Sequence, residues 1–206
     1  MGTVADAVAS TVQRGGLVIF PTDTVYGIGC DPARSGSVAR IFASKRRALH
    51  KPLTLHIGSV EELLEYAPGN ALAETLARTF LPGPLTIVVE RPSYVGSFVT
   101  SGLGTIGLRV PRHALCQAIL ERTGPLAATS ANVSGEPAFI GNGQQSSLPL
   151  ADLQIDDGPT PLGVESTVID VSGEYARLVR EGAIGRTMLE RIVGTIGRAQ
   201  PGANEA

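Results

Sequence analysis

Residues 17–29 read LVIFPTDTVYGIG. The run 17–20 is apolar and rich in β-branched and aromatic side chains, the signature of a buried strand, and Pro21 ends it because proline has no N–H to give a ladder. PTDTVYGIG then follows the C-terminal end of that strand, where open α/β sheets place ligand-binding loops. Thr22, Asp23, Thr24 and Tyr26 offer hydroxyl and carboxylate groups, and Gly27 and Gly29 allow a close backbone approach. Taken alone, the stretch reads more simply as an ordinary Asx or Ser/Thr turn.

The same alternation of short β-rich runs and helical patterns continues on both sides, punctuated by 25 Gly and 14 Pro, and predicts an α/β domain. Val4, Val8 and Val12 predict a helix stopped by Gly15 and Gly16. Ser35 or Ser37 is expected to cap a helix burying Val38, Ile41 and Phe42. Ser59 and Glu62 have capping-box spacing, and Asn70 is expected to cap a helix with Leu72, Leu76 and Phe80 on one stripe. Strands are expected at 53–57, 85–90, 105–110, 125–130, 166–171 and 175–180, with helices at 112–122 and 187–193. The last two strands read as a hairpin through Ser172, Gly173 and Glu174. Hairpins together with helix crossovers predict a twisted mixed parallel and antiparallel sheet flanked by helices. Residues 135–150 are turn-rich and read as a mobile loop, and 196–206 as a flexible tail after a domain spanning 1–195.

At 206 residues and 43% hydrophobic, the chain can bury one full core. A net charge of -2 argues against bulk electrostatic wrapping of nucleic acid, so any polyanion site must be a local patch. Cys30 and Cys116 show no framework spacing, which predicts incidental thiols in a reducing compartment. The N-terminus lacks a signal-peptide pattern, and no apolar run nears the ~20 residues of a membrane helix. The expectation is a soluble, cytoplasmic protein without a membrane partner.

The residues 44–57, SKRRALHKPLTLHI, hold both lysines of the chain, Lys45 and Lys51, against fifteen arginines in all. A solvated helix end would explain the cations through the helix dipole. A phosphate site explains better why lysine is used here, since a compact ammonium and a bidentate guanidinium are different phosphate ligands. A formal GxGxxG at Gly102, Gly104 and Gly107 runs into the extended TIGLRVP and so fails the strand–turn–helix context of a dinucleotide fingerprint. There is no GxxxxGK[ST], no GxSxG and no zinc-ligand spacing. ATSAN (128–132) presents Thr129, Ser130 and Asn132 at a strand end, and GVESTVID (163–170) presents Glu165, Ser166 and Thr167. Arg109 and Arg180 sit in apolar contexts and need anionic partners. Each piece alone fits a plain loop; together they fit a concave anion site.

PTDTVYGIG, KRRALHKPLTLHI, PGPLTIVV, TIGLRVP, ATSANVSGEPA, GPTPLGVESTVID and LVREGAI, in this order, resemble the YrdC-like threonylcarbamoyl-AMP synthases. The resemblance implies the YrdC-like fold around a positively charged cavity, in its single-domain form. It implies that L-threonine, bicarbonate or carbon dioxide, and ATP with Mg2+ give threonylcarbamoyl-AMP and pyrophosphate. That product would serve threonylcarbamoyladenosine modification of tRNA with partner proteins, and RNA contact, double-stranded RNA included, is a further implication. By the same resemblance Lys45 and Arg47 are the catalytic clamp. Arg47, Lys51, Thr105, Ser130, Asn132 and Arg180 bind ATP, while Thr24, His56, Arg109 and Ser166 bind threonine. Two departures are Lys51, where a small or amide residue is usual, and a short Gly/Gln/Ser-rich segment between Pro137 and Asp152. The competing readings are a paralogue making a carbamoyl-adenylate-type product and a non-catalytic RNA-binding module; the low aromatic fraction of 4% counts against the second.

Overall fold

The computed structural model describes residues 2–141, 143 and 148–198. Its elements in chain order are α1 (Gly2–Gln13), β1 (Val18–Phe20), β2 (Gly27–Cys30), α2 (Ser35–Lys45), β3 (Thr54–His56), α3 (Val60–Glu65), α4 (Ala71–Phe80), β4 (Leu85–Glu90), β5 (Thr105–Arg109) and α5 (Ala114–Thr123). Then follow β6 (Leu126–Ser130), β7 (Leu153–Gln154), β8 (Thr167–Asp170), β9 (Arg177–Arg180), α6 (Arg186–Val193) and β10 (Gly197–Arg198). The strands form one sheet in the order β10-β9-β8-β4-β5-β3-β6-β2-β1-β7. It is mixed: β4 pairs parallel with β8 and antiparallel with β5, and β3 pairs parallel with β5 and antiparallel with β6.

The two-residue period of the strands gives the faces different tasks. On one face Ile28, Leu55, Ile87, Leu108, Ala127 and Ile169 join the larger core, with Val38, Ile41 and Phe42 of α2, Leu76 of α4 and Leu189 of α6. On the other face Val18, Phe20 and Leu126 pack under α1 and α5 through Val8, Val12, Leu115 and Ile119. That second cluster covers only the β1–β6 side, and the rest of this face stays open as a cavity.

Several local expectations hold. Ser59 accepts from the Glu62 amide and Asn70 from the Ala73 amide, so both caps form. Glu62 itself reaches the Gly58 amide, one residue earlier than a capping box requires. Others are corrected. Neither Ser35 nor Ser37 caps α2: the cap position is Arg34, with no side-chain bond, and the Ser37 hydroxyl donates to the Gly15 carbonyl instead. The buried face of α4 is Ala73, Leu76 and Ala77, with Leu72 and Phe80 partly buried at its border. β8 and β9 pair antiparallel as the expected hairpin, but their connection is longer, running over 171–176, with Asp170 accepting from the Ser172 amide and hydroxyl at its start. β10 carries the sheet into the segment expected as a tail, and residues 199–206 lie outside the described residues. The expected mobile loop falls partly on 142 and 144–147, which also lie outside them.

The largest miss is β2, inside the stretch read as a ligand loop. Gly27 and Gly29 belong to a strand, and a Cβ on either would come within 3.2 and 3.0 Å of the Phe20 ring. The glycines make room for that ring, so β2 reads as a turn by composition while pairing on both sides with β1 and β6. Cys30 and Cys116 are both free and buried. Among the described residues no helix is long and apolar enough to cross a membrane.

Candidate active site

The open part of the sheet face is a cavity of about 520 Å3. Its floor is the alternate residues of successive strands: Thr54 and His56 of β3, Thr86 and Val88 of β4, Thr105, Gly107 and Arg109 of β5, and Ala128 and Ser130 of β6. Gly107 sits where a Cβ would come within 3.1 Å of Thr54 and Thr86, so its lack of a side chain lets the neighbouring threonines close the floor. The walls carry Lys45, Arg47, Lys51 and Arg180, with Glu136 and Glu165 as the lining carboxylates.

The alternation Lys45–Arg46–Arg47 works through one backbone conformation. Arg46 caps α2 in the left-handed region, φ 52°, and its N–H returns to the helix carbonyls of Phe42 and Ala43. The reversal leaves Arg46 exposed and turns both neighbours to the cavity wall. Lys45 is 1% exposed. Its ammonium donates to the Ser130 carbonyl, to the Asn132 carbonyl at 2.5 Å and to Asn132 Oδ1 at 3.3 Å. Burial, reinforced by the charge of Arg47 and opposed by Glu165, lowers its pKa to about 7. Arg47 donates to the Lys51 and Pro52 carbonyls at 3.2 and 2.9 Å, which fixes its plane and leaves other N–H groups for the cavity.

Ser130 and Asn132 form a network of their own. The Ser130 hydroxyl donates to Asn132 Oδ1 at 2.7 Å, and the Asn132 amide donates to the Glu136 carbonyl at 2.7 Å. Across the cavity, Arg180 pairs with Glu165 at 2.8 Å and donates to the Ser166 carbonyl at 3.0 Å. Ser166 Oγ lies 2.9 Å from Thr86 Oγ1.

Arg109 is 4% exposed and donates through Nη2 to Asp23 at 2.5 Å, through Nη1 to Thr24 Oγ1 at 2.7 Å, and through Nε to the Gly83 carbonyl. The anionic partner its setting demanded is therefore Asp23. Opposite Arg109 in the β3–β5 register is His56. Burial first, and then the charge of Arg109, push His56 down to about 3, so its imidazole is neutral. His56 Nδ1 is buried without a partner.

Ten of the eleven residues singled out in the sequence thus line one cavity: Lys45, Arg47, Lys51, His56, Thr105, Arg109, Ser130, Asn132, Ser166 and Arg180. Thr24 does not. It lies behind the wall, fully buried, and holds Arg109. Asp23, a carboxylate of the PTDTVYGIG stretch, pairs with Arg109 behind the wall, while Thr54 and Thr86 are cavity residues outside the expected set. In LTLHI the alternation of Thr54 and His56 with apolar residues marks a polar face inside an otherwise buried strand, whereas the lone Thr86 of LTIVV, followed on its face by Val88, gives no such signal.

The family model for Sua5, YciO and YrdC, described as telomere recombination, matches residues 10–182. The chain is 38% identical over 192 residues to the threonylcarbamoyl-AMP synthase of Pyrococcus abyssi, and 34% identical over 197 residues to that of Bacillus subtilis. Each match covers 91% of this chain and 56% of the relative, so the chain spans little more than half of their length. The crystal structure of P. abyssi Sua5 complexed with L-threonine superposes with a TM-score of 0.89 at 36% identity, over 97% of this chain and 60% of that one.

Proposed function

The chain belongs to the Sua5–YciO–YrdC family, and on that premise we propose that it is an L-threonylcarbamoyladenylate synthase, a nucleotidyltransferase joining L-threonine, bicarbonate or carbon dioxide, and ATP. The observation that carries this reading is the convergence of Lys45, Arg47, Lys51, Arg109 and Arg180 with a floor of hydroxyls on one cavity of about 520 Å3. Five cations line it against the carboxylates of Glu136 and Glu165, with Asp23 paired to Arg109 behind the wall, on a chain whose net charge is -2. That local excess suits a triphosphate and a carboxylate together.

In this reaction the threonine amine adds to carbon dioxide, giving a carbamate and releasing a proton. A carbamate oxygen then attacks the α-phosphorus, the bond to the bridging oxygen breaks, and pyrophosphate leaves. The substrate supplies its own nucleophile, so the protein's work is positioning and charge stabilisation. Arg47, Lys51 and Arg180 take the phosphates, with Thr105 and the Ser130–Asn132 loop at the nucleotide. Arg109 takes the threonine carboxylate, and Ser166 and the neutral His56 accept from its amine or hydroxyl. Thr24 acts from behind, through Arg109. Magnesium enters as part of the nucleotide substrate: among the described residues no three His, Cys, Asp or Glu side chains gather as a cage, and this ion is commonly held by phosphates and water. Partner proteins would transfer the threonylcarbamoyl group to tRNA.

Mass spectrometry of the protein with ATP, magnesium, bicarbonate and L-threonine, with pyrophosphate assayed in parallel, tests the reading. A threonylcarbamoyl-AMP peak and pyrophosphate are expected, both lost in Arg47→Ala and reduced when serine replaces threonine. Folded protein that binds ATP but yields neither product overturns it.

A further inference from the structure

Lys45 and Arg47 flank the same cavity, yet their donors are committed differently. The three protons of the Lys45 ammonium meet three oxygens of one loop: the carbonyls of Ser130 and Asn132, and Asn132 Oδ1. Its backbone carbonyl accepts from the Ser134 amide at 2.8 Å, so main chain and side chain both hold the same segment. An ammonium has three donors and no acceptor, and here none of the three is left over. The loop closes on itself around this point. Asn132 Oδ1 also accepts from the Ser130 hydroxyl, and the Asn132 amide reaches the Glu136 and Val133 carbonyls at 2.7 and 3.2 Å. Ser130, Asn132, Ser134, Gly135 and Glu136 then form the cavity wall on this side. Arg47, by contrast, uses two nitrogens on neighbouring carbonyls and keeps N–H groups for a ligand.

We infer that Lys45 is a positioning residue: its ammonium is the centre about which the 130–136 loop folds, and it acts on the nucleotide through that loop and not by touching the phosphates. The inference rests on the nucleotide-site reading of the cavity and divides the work of the lysine–arginine pair. Lys45 shapes a wall, and Arg47 supplies the charge that meets the ligand. Geometry, and not charge alone, is then what the position demands. A guanidinium carries the same charge but spreads its donors over a planar fork, which does not match three oxygens gathered about one nitrogen.

The test compares Lys45→Arg, Lys45→Met and Arg47→Met with wild type by amide hydrogen exchange over 131–136 and by titration with AMP and with MgATP. Positioning predicts at least tenfold faster exchange in that segment for both Lys45 variants, with AMP and MgATP affinity falling by the same factor. It predicts that Lys45→Arg rescues neither. Arg47→Met keeps wild-type exchange over 131–136 and loses MgATP affinity more than AMP affinity. If Lys45→Arg keeps wild-type exchange, or if Lys45→Met loses MgATP selectively, Lys45 is a direct phosphate ligand and the inference is overturned. Should Lys45→Met fail to fold, Lys45→Arg carries the comparison alone. A wild-type protein that binds neither nucleotide removes the synthase reading, and the exchange data still decide what Lys45 does.

Discussion

Arg109 and Asp23 form a buried ion pair, Nη2 to Oδ1 at 2.5 Å, with side chains 5% and 6% exposed. Asp23 Oδ1 also accepts from the Arg112 amide at 3.1 Å, while Oδ2 has no partner. The pair joins the first strand-end loop to β5 and sets the direction in which the guanidinium meets the cavity. Removing one member of such a pair leaves a buried charge without compensation. Asp23→Ala is expected to lose about 3–5 kcal/mol of stability in urea unfolding. Asp23→Asn, which keeps an acceptor, loses less but lets the guanidinium turn. Its threonine affinity falls while MgATP affinity stays at wild type in calorimetric titration.

Lys45 gives the stability of the protein a pH dependence. Its pKa is about 7 in the native state against 10.5 for the ordinary side chain. Between those values the unfolded chain binds more protons than the native one, so the contribution of this group to stability rises with pH. It is fully present above 10.5 and lost as pH falls through about 7. Urea unfolding of wild type at pH 7 and pH 9 should show this rise, and Lys45→Met should not.

Glu165 sits between two cations of the cavity, paired with Arg180 at 2.8 Å and raising the pKa of Arg47 against its burial. The Arg180 and Glu165 side chains are 35% and 39% exposed, so the pair itself is worth no more than about 1 kcal/mol. Glu165→Gln therefore leaves stability within that margin. It removes a competitor for the same guanidinium, and MgATP binding is expected to tighten by about threefold. Arg180→Ala weakens it by more than tenfold. Titration of both variants with MgATP checks the pair of outcomes.

Asn70 fastens α4 at two points, accepting from the Ala73 amide at 2.9 Å and donating to the Val171 carbonyl at 2.8 Å. Asn70→Ala loses the cap and leaves a carbonyl of the β8 end without this donor. A loss of about 1–2 kcal/mol is expected in urea unfolding. Nucleotide binding is expected to be unchanged, since Asn70 is not among the residues that line the cavity.

What the sequence by itself determined is what depends on neighbours in the chain. Apolar runs gave β1, β4, β5 and β6, helical spacing gave α1 and α2, and side-chain caps gave the starts of α3 and α4. Residue chemistry and the resemblance to a family together picked out ten of the cavity's residues before any of them could be placed together. What only the tertiary structure decided is which groups remain free to act. Lys45, Ser130 and Asn132, separate in the sequence, are joined in one hydrogen-bonded network, and Thr24 lies behind the wall, where it accepts from Arg109. β2 reads as a loop because its glycines serve the Phe20 ring above them. The physical reason is common to all three. A donor count or a missing side chain is a property of a residue, but its partner is set by packing across 85 positions of chain between Lys45 and Ser130, and local sequence carries no record of that distance.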